Sequence, residues 1–453
     1  MFSLAQNYLT RGFWGDEAWT SLISQLPYLQ MLKTTAADFH PPAYYTIVEI
    51  VYKFLPPTEI VTRSISIFFY LLTILLVWKM ASEIKGRLFG VLSAIVVAVN
   101  PIFFTYAFEA RNYTMFAFAA TGSIYFLIRI SENFTKLRAL GFVIFSTLGI
   151  YTHYYMFFIL AAQGFYLILF DRKILLKVNG LYIVVAILYL PWLPFLLGQV
   201  KSVGQNYWIG TIDKRTHFEA MLRILGGEYK NIFRPFLFWL STALIIIGLV
   251  QHALRHPSTS SGPRFEKPYL LIWLWAIAPF ILASLPGLVI DGFKLPFRPI
   301  FFWRYLIGAA VPLAMVMVHT SEKLPKYLFT ISIAAIIILS ITIDALTFSR
   351  YPYTFRQAYQ QEILPKITAS DKIVTVLPSF AEVAYYRQRF GIKNDLIVLP
   401  EGLVQFSGKS LLDVYEDPPQ ISIRNLGTPE DIEAIFKGVV YWELRPGPII
   451  EIK

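Results

Sequence analysis

Between Thr62 and Leu346 long apolar runs alternate with short polar breaks. A helix needs roughly 20 mostly apolar residues to cross a bilayer. The runs at about 62–82, 87–105, 113–129, 138–152, 154–170, 178–197, 235–252, 268–290, 303–320 and 326–346 are therefore read as ten spans. Residues 1–61 hold no such run. Their apolar positions fall in two shorter amphipathic stretches, Ala18–Leu32 and Ala43–Leu55, whose lengths suit helices lying at the interface. Pro41 and Pro42 would open the second, because proline is tolerated in a first helical turn. After residue 346 the pattern shortens. Lys372–Leu377, Leu396–Leu399, Val439–Leu444 and Ile449–Ile452 read as strands, and Phe380–Arg389 and Glu430–Phe436 as helices. The expected fold is a polytopic α-helical membrane protein with outer-face interfacial helices and a small C-terminal α/β domain. The segments are 1–61, 62–346 and 347–453.

Composition agrees with that class. The 453 residues are 56% hydrophobic and 15% charged, with mean hydropathy +0.54. A soluble chain would be about a quarter charged. The net charge of +11 invites a nucleic-acid reading. However, Lys79, Lys85, Arg87, Arg129, Lys136, Arg138, Arg172, Lys173, Lys177, Arg255, Arg264, Lys267, Lys323 and Lys326 cluster in every second loop, which places those loops in the cytoplasm. No nucleic-acid partner is expected; the bilayer is. The opposite, extracytoplasmic face of a cell membrane then holds residues 1–61, the turns near 109–112 and 151–154, the loops 198–234 and 291–302, and the tail. Ten spans leave residues 1–61 with no preceding span to carry them across, so a first transmembrane helix is expected upstream of Met1. With no cysteine, disulfides and thiolate chemistry are excluded. The first residues do not read as a cleavable signal peptide, and none is expected there.

The outer face gathers the candidate chemistry. Asp16 and Glu17 are adjacent and cannot point the same way, so one could act while the other holds a metal or a basic residue. A positioned carboxylate suits proton removal from an acceptor hydroxyl; a solvated helix start is the bland alternative. Asp38 and His40 stand two apart before Pro41-Pro42, a spacing open to a shared divalent metal or to a helix cap and an interfacial hydrogen bond. In the next outer turn lie Glu109, Arg111 and Tyr113. The planar guanidinium of Arg111 suits a phosphate, and a local ion pair with Glu109 is the other reading. His153 shares that face as ligand, proton relay or plain structural histidine. Arg298 and Arg304 border a later span, where they would bind phosphate or snorkel to the interface. Lys201, Lys214, Arg215, Arg223, Lys230 and Arg234 make the 198–234 loop basic, which fits an anionic lipid or substrate as well as a wet loop.

The order of these pieces is informative: Asp16-Glu17, then His40-Pro41-Pro42-Ala43-Tyr44-Tyr45, Arg63 at the start of a span, Glu109-Ala110-Arg111-Asn112-Tyr113, Tyr151-Thr152-His153-Tyr154, Arg304-Tyr305-Leu306, and an outer tail. The chain resembles the GT-C superfamily of membrane glycosyltransferases, in the branch of protein O-mannosyltransferases and the lipid A aminoarabinose transferase. That resemblance implies an inverting transfer of a monosaccharide from a polyprenyl-phosphate donor to an acceptor hydroxyl at the outer face. It implies Asp16 as base with Glu17 beside it, and Arg111 at the donor phosphate with Arg304 and Arg298. Glu109, Tyr113, Tyr44 and His153 become candidate substrate contacts. Some relatives bind a divalent metal near the Pro-Pro element, which here would involve Asp38 or His40. Other readings are a transporter or flippase, a ligase or polymerase of whole glycans, and a non-catalytic scaffold. No charge stands near mid-span and no internal repeat is visible, which weighs against transport.

Overall fold

The computed structural model describes residues 8–206, 209, 212–254, 266–287, 289–290, 293–294, 299–399, 409–415, 421–423 and 440–452. In chain order the helices begin with α1 (Gly15–Ile23), α2 (Tyr28–Ala36) and α3 (Ala43–Tyr52). The expected Ala18–Leu32 stretch is thus two helices, because Pro27 sits before the second and has no N–H to continue the first. Next come α4 (Glu59–Lys85), α5 (Arg87–Ala98), α6 (Pro101–Ala107), α7 (Tyr113–Glu132), α8 (Lys136–Thr152), α9 (Met156–Phe170) and α10 (Arg172–Tyr189). A 3₁₀ step at Leu190–Trp192 leads into α11 (Leu193–Asn206), followed by α12 (Lys214–Gly226), α13 (Arg234–Leu254) and α14 (Glu266–Ser284). A 3₁₀ stretch, Trp303–Ala309, precedes α15 (Ala310–Ser321) and α16 (Lys326–Phe348). The tail carries α17 (Phe355–Ala358), β1 (Lys372–Val376), α18 (Leu377–Arg389), β2 (Leu396–Leu399), α19 (Lys409–Tyr415), β3 (Ile421–Ile423), β4 (Tyr441–Arg445) and β5 (Ile449–Ile452). The helix expected at 430–436 lies outside the described residues.

Among the described residues six helices are long and apolar enough to cross a membrane, or seven if the bent pair α5–α6 is one span. The run expected at 87–105 is broken there by 65°. Asn100 accepts from the Phe103 N–H at 3.1 Å and Pro101 follows it, so a new helix is capped where the old one ends. The expected 303–320 span is half 3₁₀ turn.

The chain forms two compact units: Met1–Ile65 with Phe195–Trp208 and Arg350–Lys453, and Ser66–Pro194 with Ile209–Ser349. The second is the helical one. Its α7 and α8 approach closely because glycine faces phenylalanine. A Cβ on Gly122 would stand 1.9 Å from Phe145, and one on Gly141 2.5 Å from Phe126. Small residues drive such packing where lipid offers no hydrophobic gain. A buried polar chain joins four helices: Ser123 to Ser146 at 2.9 Å, Gln163 to Ser123 at 2.9 Å, and Tyr182 to Gln163 at 3.1 Å.

The first unit is built from both ends of the chain. Its sheet runs β3-β2-β1-β4-β5, parallel except for the last pair. β2 is buried along its whole length, as expected of a strand covered on both faces. Helix α18 leaves β1 directly and packs on the sheet and on α1. The Phe13 N–H donates to the Tyr386 hydroxyl at 2.6 Å, and that hydroxyl donates to Glu59 at 3.0 Å. Arg356 donates to the Thr10 carbonyl at 2.7 Å. Gln199 of α11 donates to the Thr35 and Ala36 carbonyls, which the end of α2 leaves open.

Candidate active site

In the first unit Asp16 and Glu17 occupy the opening turn of α1, where the helix dipole favours carboxylates. They face different surroundings. Glu17 is wholly buried and grips Arg63, which is equally buried. Arg63 Nε donates to Glu17 Oε1 at 2.8 Å and Nη2 to Oε2 at 2.6 Å. The other donors reach the carbonyls of Leu9 at 2.9 Å, Arg11 at 2.6 Å and Gly12 at 3.2 Å. All five N–H groups of the guanidinium are thereby used. Of the two expectations for a paired carboxylate, Glu17 takes the basic partner. Asp16 is half-buried, and its carbonyl accepts from the Thr20 hydroxyl at 2.8 Å.

Asp38 and His40 meet each other: Nδ1 lies 3.1 Å from Oδ2. Asp38 does not cap the next helix, because Pro42 holds that position. His40 packs among Trp19 and Tyr45, and Tyr44 is fully buried edge-on to Tyr45. A metal site built by protein needs about three side-chain ligands. Among the described residues no group of three His, Asp or Glu is placed to hold an ion. One imidazole and one carboxylate already bonded to each other do not fit that requirement, and no step below runs through a metal.

The second unit gathers most of the remaining candidates. Glu109, Arg111 and Tyr113 are buried in the turn before α7, with the Arg111 guanidinium 5.9 Å from the Tyr113 ring. The turn is pinned from below: Ser66 donates to the Arg111 carbonyl at 3.0 Å and Asn112 to the Thr152 carbonyl at 2.6 Å. His153 lies beside it, stacked on Phe116 at 4.9 Å and 6.2 Å from Tyr113. Its Nδ1 accepts from the Tyr155 N–H at 3.1 Å, which leaves a neutral ring's proton on Nε2.

Tyr106, Glu228 and Trp303, which sequence reasoning did not single out, complete this wall. Tyr106 is edge-on to Tyr113 at 4.9 Å and to Trp303 at 6.0 Å, and its hydroxyl reaches Glu228 at 3.3 Å. Trp303 holds two guanidiniums, Arg223 at 4.7 Å and Arg304 at 5.1 Å. Its place beside Arg304 in the sequence was the one available signal. Arg223 lies 3.8 Å from Glu228 and 4.0 Å from Glu219, and the buried Arg234 lies 3.8 Å from Glu219. Arg298 lies outside the described residues.

This geometry can be set against known proteins. Residues 39–197 match the sequence model of the dolichyl-phosphate-mannose-protein mannosyltransferase family. ArnT from Cupriavidus metallidurans bound to undecaprenyl phosphate aligns over 98% of this chain and 92% of its own, at 11% identity and TM-score 0.65. This is a GT-C fold. Apo ArnT agrees with that assignment, with 98% and 91% coverage, 11% identity and TM-score 0.64. The archaeal oligosaccharyltransferase AglB from Archaeoglobus fulgidus, in complex with an inhibitory peptide and a dolichol-phosphate, covers 83% of this chain and 60% of its own, at 13% identity and TM-score 0.52. No curated protein matches the sequence significantly. The expected resemblance to the GT-C superfamily, in its O-mannosyltransferase and aminoarabinose-transferase branch, therefore holds. The family match covers residues 39–197, and the structural matches show the fold.

Proposed function

We propose that the chain is an inverting glycosyltransferase that moves one sugar from a polyprenyl-phosphate donor to an acceptor hydroxyl on the extracytoplasmic face. The observation that carries this is the division of labour at α1. Glu17 is wholly buried in its pair with Arg63, whereas Asp16, beside it in the same helical turn, is half-buried, and Asp16 is taken as the carboxylate that meets the substrate. The outer-face assignment rests on the basic loops of the opposite side.

In this reading Asp16 takes the acceptor's proton as its oxygen attacks the anomeric carbon. The new carbon–oxygen bond forms as the bond to the phosphate oxygen breaks, and the electron pair leaves on the phosphate. Arg111 and Arg304 bind that phosphate and stabilise its growing charge. Glu109 and Tyr113, with His153 beside them, act on the donor's head. Asp38 and His40 hold the loop against α1. The buried Tyr44 supports it from within and is assigned no substrate contact.

The test is sugar release from radiolabelled polyprenyl-phosphate monosaccharides in membranes expressing the chain, beside Asp16→Asn. Removing a general base lowers turnover by about 10²–10⁴-fold, and the variant's expression and unfolding temperature should stay those of the parent. Full turnover in Asp16→Asn would remove the base. Transfer of an intact oligosaccharide, with monosaccharide donors inert, would instead favour whole-glycan transfer.

A further inference from the structure

The C-terminal segment was given no chemistry by its sequence, yet one of its carboxylates stands at the start of α1. Glu382 lies on α18. Its Oε2 is 3.7 Å from the point where a Cβ on Gly15 would stand, and its carboxylate accepts the Gly15 N–H. Gly15 opens α1, so that N–H has no acceptor within the helix. Asp16 follows it directly.

We propose that Glu382 is a positioning residue for Asp16, supplied to the reaction by the C-terminal segment. The argument rests on the proposed transferase reading. From α1 the charges facing Glu382 are Asp16 and Glu17, and Glu17 is held by Arg63 of α4. Glu59 is bound by Tyr386 on Glu382's own helix and lies 3.9 Å from Arg356 of α17. Among the described residues no cation is placed on Glu382 in compensation. Burial, with Asp16 and Glu17 adding to it, pushes the Glu382 carboxyl from 4.5 up to about 8. Near neutral pH a carboxylic acid thus stands beside Asp16. A protonated carboxyl still accepts a hydrogen bond, so Glu382 can hold the Gly15 N–H, and through the first turn of α1 the position of Asp16, without setting a further charge beside it. Ionisation of Glu382 places another negative charge beside Asp16.

The experiment uses the full chain in nanodiscs. Glu382→Gln keeps the shape and an acceptor. It should retain turnover at pH 7 within about twofold and lose the fall in kcat that the parent shows as the pH passes about 8. Glu382→Ala should lower kcat about tenfold or more with donor KM unchanged. Wild-type kcat in the alanine variant, an alkaline fall that persists in the glutamine variant, or a folded but inactive glutamine variant at pH 7 would each overturn the proposal. Should the alanine variant fail to fold, the glutamine profile decides. Infrared difference spectra of parent minus Glu382→Gln give a readout independent of turnover. A protonated carboxyl band present at pH 7 should vanish as the pH rises through about 8, and its absence at pH 7 would also overturn the proposal. If no donor releases sugar while that band is present, it is the transferase reading that fails. Stability adds a third readout. Between 4.5 and about 8 the folded chain holds one proton more than the unfolded chain, so stability falls as pH rises across that window. Glu382→Gln should flatten this slope in unfolding temperature; an unchanged slope speaks against the proposal.

Discussion

The two units use arginine in opposite ways. In the first, Arg63 is wholly buried and every N–H is satisfied, two by Glu17 and three by carbonyls at 2.6 to 3.2 Å. In the second, Arg223 and Arg304 lie against Trp303, and Arg223 and Arg234 keep their glutamates at 3.8 to 4.0 Å, beyond hydrogen-bond range. Fixed geometry belongs to a structural pair. Loose pairing over an aromatic face leaves a guanidinium room to turn toward an anion. Charge alone does not separate a site from a brace; the closeness of the hydrogen bonds does.

The largest break of this contrast is at Arg63. Arg63→Ala leaves the Glu17 carboxylate buried without its partner, and removing one half of a buried pair costs about 3–5 kcal/mol. The expected result is loss of folded protein by thermal unfolding in detergent. Arg63→Lys should fare little better, because an ammonium cannot span five fixed acceptors. A variant as stable as the parent would show that the pair is no brace. The second unit should respond in affinity. Arg111→Ala should raise the donor KM about tenfold or more, by loss of a charge-assisted phosphate contact, with the unfolding temperature nearly unchanged. The smallest effect is at Trp303. Trp303→Leu removes two cation–π contacts worth about 0.5–1 kcal/mol each and should weaken donor binding a few-fold. A large loss of stability there would make the tryptophan a brace too.

How much of this could be read from the chain follows from contact distance along it. Asp38 and His40 are two residues apart, so their nearness was legible, although their bond to each other was not among the readings offered for them. The apolar runs were legible as well, because period and length reside in each run. The break at Asn100-Pro101 lay inside one of them and was passed over, since hydropathy does not register a cap. Glu17's partner and Glu382's neighbours were not legible. Arg63 is 46 residues from Glu17, and α18 reads as an ordinary helix of a strand-rich tail. Trp303 looked like one more interfacial aromatic until Arg223 was placed on it.

The bond from Phe13 to Tyr386 joins positions 373 residues apart. A ribosome adds about 5–20 residues per second, so roughly 20–75 s separate the synthesis of the first partner from that of the second. Throughout that interval the loop bearing Asp16 lacks the helix that steadies it. The first unit is therefore finished last, although its first residues are made first. Nascent chains should reach the membrane inactive, and truncation anywhere before α18 should yield an inserted protein without a working edge.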